Sequence, residues 1–104
     1  MAVTSKVLAR TAAATESTTL YTQPDTSTIT VVTNINVTNT TTAAATFTIS
    51  IDSVALQSAS TLAANSTAYL DLKQVMPASD PAKTISGEAS TTGVNFHISG
   101  VEII

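Results

Sequence analysis

Apolar and polar residues alternate along most of this chain with a period of two. From Ser27 to Asn39, Ile29, Val31, Ile35 and Val37 fall on one face with Thr33. Thr28, Thr30, Asn34, Asn36 and Thr38 fall on the other, and Val32 is the single break. Wound as a helix, the same residues would spread isoleucine, valine and threonine around the whole circumference and cost their β-branched side chains rotamer freedom, so the segment predicts a strand. Thr46 to Asp52 repeats the pattern with Phe47, Ile49 and Ile51 inward, and Asp52 and Ser53 suit a tight turn into Val54, Ala55 and Leu56, which predicts a hairpin. Asn65 and Ser66 mark the next turn. Ala68 to Lys73 then reads as a strand with Leu70 and Leu72 inside and Tyr69, Asp71 and Lys73 outside, and Pro77 and Pro81 make Met76 to Lys83 a loop.

In the last third, Ile85 and Ala89 precede a turn at Thr92 and Gly93, after which Val94, Phe96 and Ile98 alternate with Asn95, His97 and Ser99. Gly100 reads as a bulge, with Val101 and Ile103 resuming the inward face around Glu102. Lys6 to Arg10 and Thr18 to Thr22 are further strand segments. The sum is an all-β fold: a single small antiparallel β-sandwich, immunoglobulin-like or jelly-roll-like, of about seven to eight strands. Residues 1–17 are an N-terminal arm or first strand, and residues 18–104 the sandwich.

Composition narrows what such a sandwich does. A chain of 104 residues suits one domain with a modest core, and of its 43% apolar residues sixteen are alanine and only four are aromatic. Twenty-one threonines and twelve serines give it a polar skin, while charge is sparse at 11% with a net −3. No basic patch with stacking aromatics is visible, which argues against nucleic acid as a partner. Without cysteine there is no disulfide framework and no thiolate metal site. The first residues lack the apolar core of a signal peptide, and no run approaches the length of a membrane span, so neither secretion by a leader nor a membrane partner is expected.

Catalytic chemistry has no support in the residues. His97 is the only histidine and falls at an outward strand position, with no nucleophile elbow or orienting carboxylate suggested by any local motif. The seven acidic residues show neither metal-ligand spacing nor a calcium-loop pattern, and three glycines are too few for a phosphate-cradling loop. No catalytic residue, cofactor or metal is therefore expected, and Asp25 and Asp80 read as turn caps. Sequons at Asn36, Asn39 and Asn65 are a weak signal in a Thr-rich chain, where about one or two are expected by chance.

Two features point to assembly. Between Ser27 and Ile51 there is no charged residue, so this ribbon is either central or made to pair with another copy. Lys6, Val7, Leu8 and Arg10 form a basic apolar tip on an acidic domain, suited to docking on a partner's acidic surface.

The segments TTLYTQP, ITVVTNINVTNTT, ATFTISIDSVAL, LAANSTAYLDLKQVM and VNFHISGVEII resemble small structural proteins of tailed bacteriophages, particularly head-associated ones. The resemblance spans nearly the whole chain, and departs where SDPAK stands in place of a short AGD-like turn before Ile85. It implies a non-enzymatic virion protein, assembled in the host cytoplasm. The expected role is a capsid decoration or cement protein that binds the outer head surface, bridges major capsid subunits and self-associates, a trimer being one option. The alternative is a neck, tail or fibre module whose loops bind another tail protein or a glycan through Tyr21 and Tyr69.

Overall fold

Each alternating segment becomes a strand in the computed structural model, which describes residues 2–104. The strands are β1 (Val3–Ala12), β2 (Thr18–Thr22), β3 (Ile29–Asn39), β4 (Ala45–Ile51), β5 (Val54–Leu62), β6 (Thr67–Met76), β7 (Thr84–Ala89) and β8 (Val94–Ile103). They pair in two antiparallel four-stranded sheets, a first of order β1-β8-β3-β6 and a second of order β2-β7-β4-β5. Among neighbours in sequence only β4 and β5 share a sheet; every other connection crosses between sheets. That order is the double Greek key of a jelly roll, which decides between the two sandwich types the sequence allows.

The core lies where both sheets turn β-branched and aromatic side chains inward. Ile35, Val37, Phe96 and Ile98 of the first sheet meet Phe47, Ile49 and Ile85 of the second, all buried. Burying each such side chain stabilises the fold by about 1.5–3 kcal/mol. The rings of Phe47 and Phe96 meet edge to face, their centroids 6.5 Å apart at 68°, a geometry that adds about 0.5–1.5 kcal/mol. The uncharged ribbon is interior in its sheets: β3 runs between β8 and β6, and β4 between β7 and β5. Covered on both sides, β3 needs no charged gatekeeper and no second copy to pair with.

One feature of β3 departs from the expected alternation. Val32 pairs with Gly100 of β8 and Asn34 with Ser99, which leaves Thr33 as an extra residue. On the other flank of β8, Val7 pairs with Ser99 and Ala9 with Ile98, leaving Leu8 as a second extra residue at the same level. Each bulge shifts the alternation of its strand by one. Thr28, Thr30 and Val32 therefore face inward and Ile29 and Val31 outward, the reverse of the sequence reading. β8 itself does not bulge at Gly100: its alternation continues unbroken, so Glu102 is buried and Val101 and Ile103 face out, a second correction. Gly100 is required because its neighbours close over it. A Cβ there would overlap the Val31 carbonyl oxygen and stand 2.8 Å from Leu8 Cδ1.

β5 extends well beyond the three residues expected, through Gln57–Thr61, where small polar side chains give no apolar period. Asp52 and Ser53 both take left-handed φ, 55° and 63°, which closes the β4–β5 hairpin with a type I′ turn. Ala59 is also left-handed at 45°, and its N–H is held by Thr48 Oγ1 at 2.9 Å.

A buried amide closes each end of the sandwich. Asn39 Nδ2 donates to the carbonyls of Ala43, Leu62 and Ala63, and its Oδ1 accepts from the Thr41 N–H and hydroxyl. At the opposite end, Gln23 Nε2 donates to the carbonyls of Thr28, Met76 and Pro77, and its Oε1 accepts from the Lys83 N–H. Both plugs satisfy loop carbonyls that would otherwise be buried unpaired.

Candidate functional site

Cross-strand register sets the outer face of the first sheet out in transverse rows. At the end bearing Asn39 the rows are polar: Ala12, Asn95, Thr38 and Thr67 form one, and Arg10, His97, Asn36 and Tyr69 the next. Then come Val7, Ser99, Asn34 and Asp71, with Asn34 Nδ2 donating to Asp71 Oδ1 at 3.3 Å. Beyond the bulges the character changes. The next outward row is Ser5, Val101, Val31 and Val75, and the last is Val3, Ile103 and Ile29. Val3 is 65% exposed, Val75 58%, Val7 46% and Ile29 37%, and none of these side chains contributes to the core. This end continues around the β6 edge into a shallow groove of about 260 Å³ where Ile51, Val54, Leu56 and Val75 line the wall together with Asp52 and Gln74.

Directly beneath, on the inner face, the usual order is reversed as well. Glu102 is 7% exposed and lies between the sheets, where Tyr21 donates its hydroxyl hydrogen to Glu102 Oε2 at 2.6 Å. Lys6 Nζ donates to Glu102 Oε1 at 3.2 Å, and the Tyr21 and Thr30 hydroxyls lie 2.9 Å apart. Burial, reinforced by the hydrogen bond to the Glu102 carboxylate, pushes the Tyr21 phenol up to about 12. A buried carboxylate is tolerated here because three groups satisfy it or its donor. Asp25 caps the preceding turn as expected: its Oδ1 accepts from the Ser27 N–H and the Thr28 hydroxyl, which hold its carboxyl below the usual aspartate value.

The four residues singled out from sequence do not form one tip. Leu8 is the buried bulge residue, and Lys6 turns inward to Glu102. Val7 and Arg10 face outward on β1, Val7 beside the apolar rows and Arg10 in the polar row with His97. His97 has no carboxylate in its row. Among the described residues no three of His, Cys, Asp or Glu are grouped to hold a metal, and no helix is long and apolar enough to cross a membrane. The second cleft, about 230 Å³, has Thr15, Thr46, Thr48, Glu88 and Ser90 among its lining residues, with no histidine or lysine among them to activate a hydroxyl. What sequence reasoning missed is the outward apolar set of Ile29, Val31, Val101 and Ile103. The signal was present in Val32, the residue that broke the alternation.

No family model and no curated protein matches the sequence. Among solved structures, the fold is similar to part of a chain in the structure of infectious bursal disease virus, Gx strain, with a TM-score of 0.59 and 15% identity over 97% of this chain and 32% of that one. It is also similar to part of a chain of the T13 particle of the same virus, with a TM-score of 0.55 and 10% identity over 97% of this chain and 30% of the other. The present chain thus spans about a third of the length of those virus chains, and what it shares with that third is the fold.

Proposed function

We propose that this chain is a non-enzymatic structural domain of a virus particle, and that it attaches through the apolar end of its first sheet's outer face. The observation that carries the reading is that face. Two rows of valine and isoleucine point outward on a domain whose inner face at the same level mixes Val32 and Met76 with Thr30 and the buried Glu102, an arrangement that leaves apolar surface for another protein to cover. The similarity of the jelly roll, over nearly its whole length, to part of a chain of an icosahedral virus particle supports the same reading. So does the resemblance of its sequence segments to head-associated proteins of tailed phages, from which comes the finer proposal: a decoration or cement protein on the outer head surface, bridging capsid subunits. Each attachment is shallow, and repetition over a shell gives the sum its strength.

The glycan-binding alternative is weaker, because Tyr21 is buried and leaves Tyr69 as a lone platform. Counting copies per purified particle by quantitative mass spectrometry tests the proposal. Hundreds of copies are expected for a head lattice; a dozen or fewer would move the chain to a neck or tail, and none would remove it from the virion.

A further inference from the structure

A second surface, on the edge of the same sheet, is complementary to itself. β6 is the last strand of its sheet and pairs only with β3, so its other edge presents unpaired backbone N–H and C=O groups. The remaining three edges are shorter or more strongly interrupted. β2 has five residues, β5 carries the left-handed Ala59 in its middle, and β1 carries Lys6 and Arg10 around the Leu8 bulge. β6 is ten residues long; although Leu72 and Lys73 together stand opposite the single Thr33 of β3, its alternation is kept, and its outward side chains read Tyr69, Asp71, Lys73, Val75, with Tyr69 71% and Val75 58% exposed.

We infer that β6 pairs antiparallel with β6 of a second copy of this chain across a two-fold axis at Leu72, joining two first sheets into one of eight strands. Rotation about Leu72 sets Asp71 of each copy against Lys73 of the other, and Tyr69 against Val75. These are an opposite-charge pair and an aromatic–β-branched pair, each occurring twice, and both are favourable cross-strand combinations. This register is the one that sets opposite charges against each other. Centring the axis on residue 71 opposes carboxylate to carboxylate, and centring it on residue 73 opposes ammonium to ammonium. An axis between residues opposes an outward side chain to an inward one. Only Leu72 as centre satisfies charge and face together.

The geometry has a consequence for attachment. An axis perpendicular to the sheet keeps both outer faces on one side, so the pair presents its two apolar ends toward the same surface and binds divalently. This extends the assembly reading above, but the purified chain alone tests it. Sedimentation equilibrium up to about 1 mM, which detects association with a Kd as weak as about 1 mM, should show a monomer–dimer equilibrium. Asp71→Lys and Lys73→Asp, both at exposed positions, should each weaken dimerisation about tenfold or more by creating like-charge pairs, and the double exchange should restore it. Leu72→Cys, the sole cysteine in such a variant, should form an intermolecular disulfide on oxidation, directly opposed strand positions lying within disulfide reach. A monomer at every concentration, or a dimer indifferent to the single substitutions, overturns the strand pairing. Either result leaves the particle reading standing, since that is decided by copy number.

Discussion

The two halves of the first sheet use the same strands in opposite senses. From Asn34 to Thr38 on β3 and from Val94 to Ser99 on β8, isoleucine, valine and phenylalanine point inward and asparagine, threonine, histidine and serine outward. Beyond Thr33 and Leu8 the inward positions hold Thr28, Thr30 and Glu102 beside Val32 and Met76, and the outward ones hold Ile29, Val31, Val101 and Ile103. The first half spends its apolar residues on holding the monomer together. The second adds hydrogen bonds from Tyr21, Lys6 and Gln23 to the buried Val32 and Met76 and turns Ile29, Val31, Val101 and Ile103 outward. On β3 and β1 one extra residue each makes the change, because a shift of one residue exchanges the faces of a strand; on β8, whose alternation is unbroken, the sequence itself changes, putting Glu102 on the inward face and Val101 and Ile103 on the outward one.

The strongest way to break this contrast is at the boundary. Gly100→Ala drives a methyl into the Val31 carbonyl and Leu8, and the expected loss is about 3 kcal/mol, the upper end for overpacking against groups that cannot move aside. Denaturant titration measures it, and a loss below about 1 kcal/mol would mean that the bulged strands do not close over β8 as described. Next in size is a matched pair of truncations on β3. Val37→Ala, in the inner row, should cost about 2–3 kcal/mol by leaving a cavity, whereas Val31→Ala, six residues away on the outer face, should cost less than about 1 kcal/mol. Equal costs would place Val31 in the core and undo the phase change.

Tyr21→Phe comes last. At neutral pH it removes the donor to Glu102, an expected loss of about 1–2 kcal/mol. Its sharper signature is in alkali. The folded-state value of Tyr21 is raised to about 12 from 10.0, so the native state retains a proton that the unfolded chain gives up. The stability this contributes is complete below pH 10 and is lost as the pH climbs from 10 towards 12. Stability of the parent chain should therefore fall across that window, and the phenylalanine variant should fall less steeply. Identical slopes would show that Tyr21 is not buried against Glu102.

Most of the strand layout was legible in the chain. Period-two alternation marked β3, β4 and β8, and the Asp52–Ser53 turn and the Pro77–Pro81 loop lay where turn chemistry puts them. β5 was legible only at its start, because Gln57–Thr61 is an edge segment with neither face fully buried and so keeps no pattern. The faces beyond the bulges were misread for a different physical reason. Apolar residues in alternation report which positions share a face, and only the pairing partners report which face that is. A strand such as Ile29–Val32, apolar on both sides, says that both sides are covered without saying by what. Tyr21 and Glu102 meet across 81 residues of chain, a separation that local spacing does not encode.

Covalent footprinting of the assembled particle against the free chain tests the account most directly. Val31, Val75 and Val101 should react in the free chain and become protected in the particle, while Asn36 and His97, on the polar half of the same face, change little. Unchanged reactivity of the three valines on assembly, or protection confined to the polar rows, would contradict it.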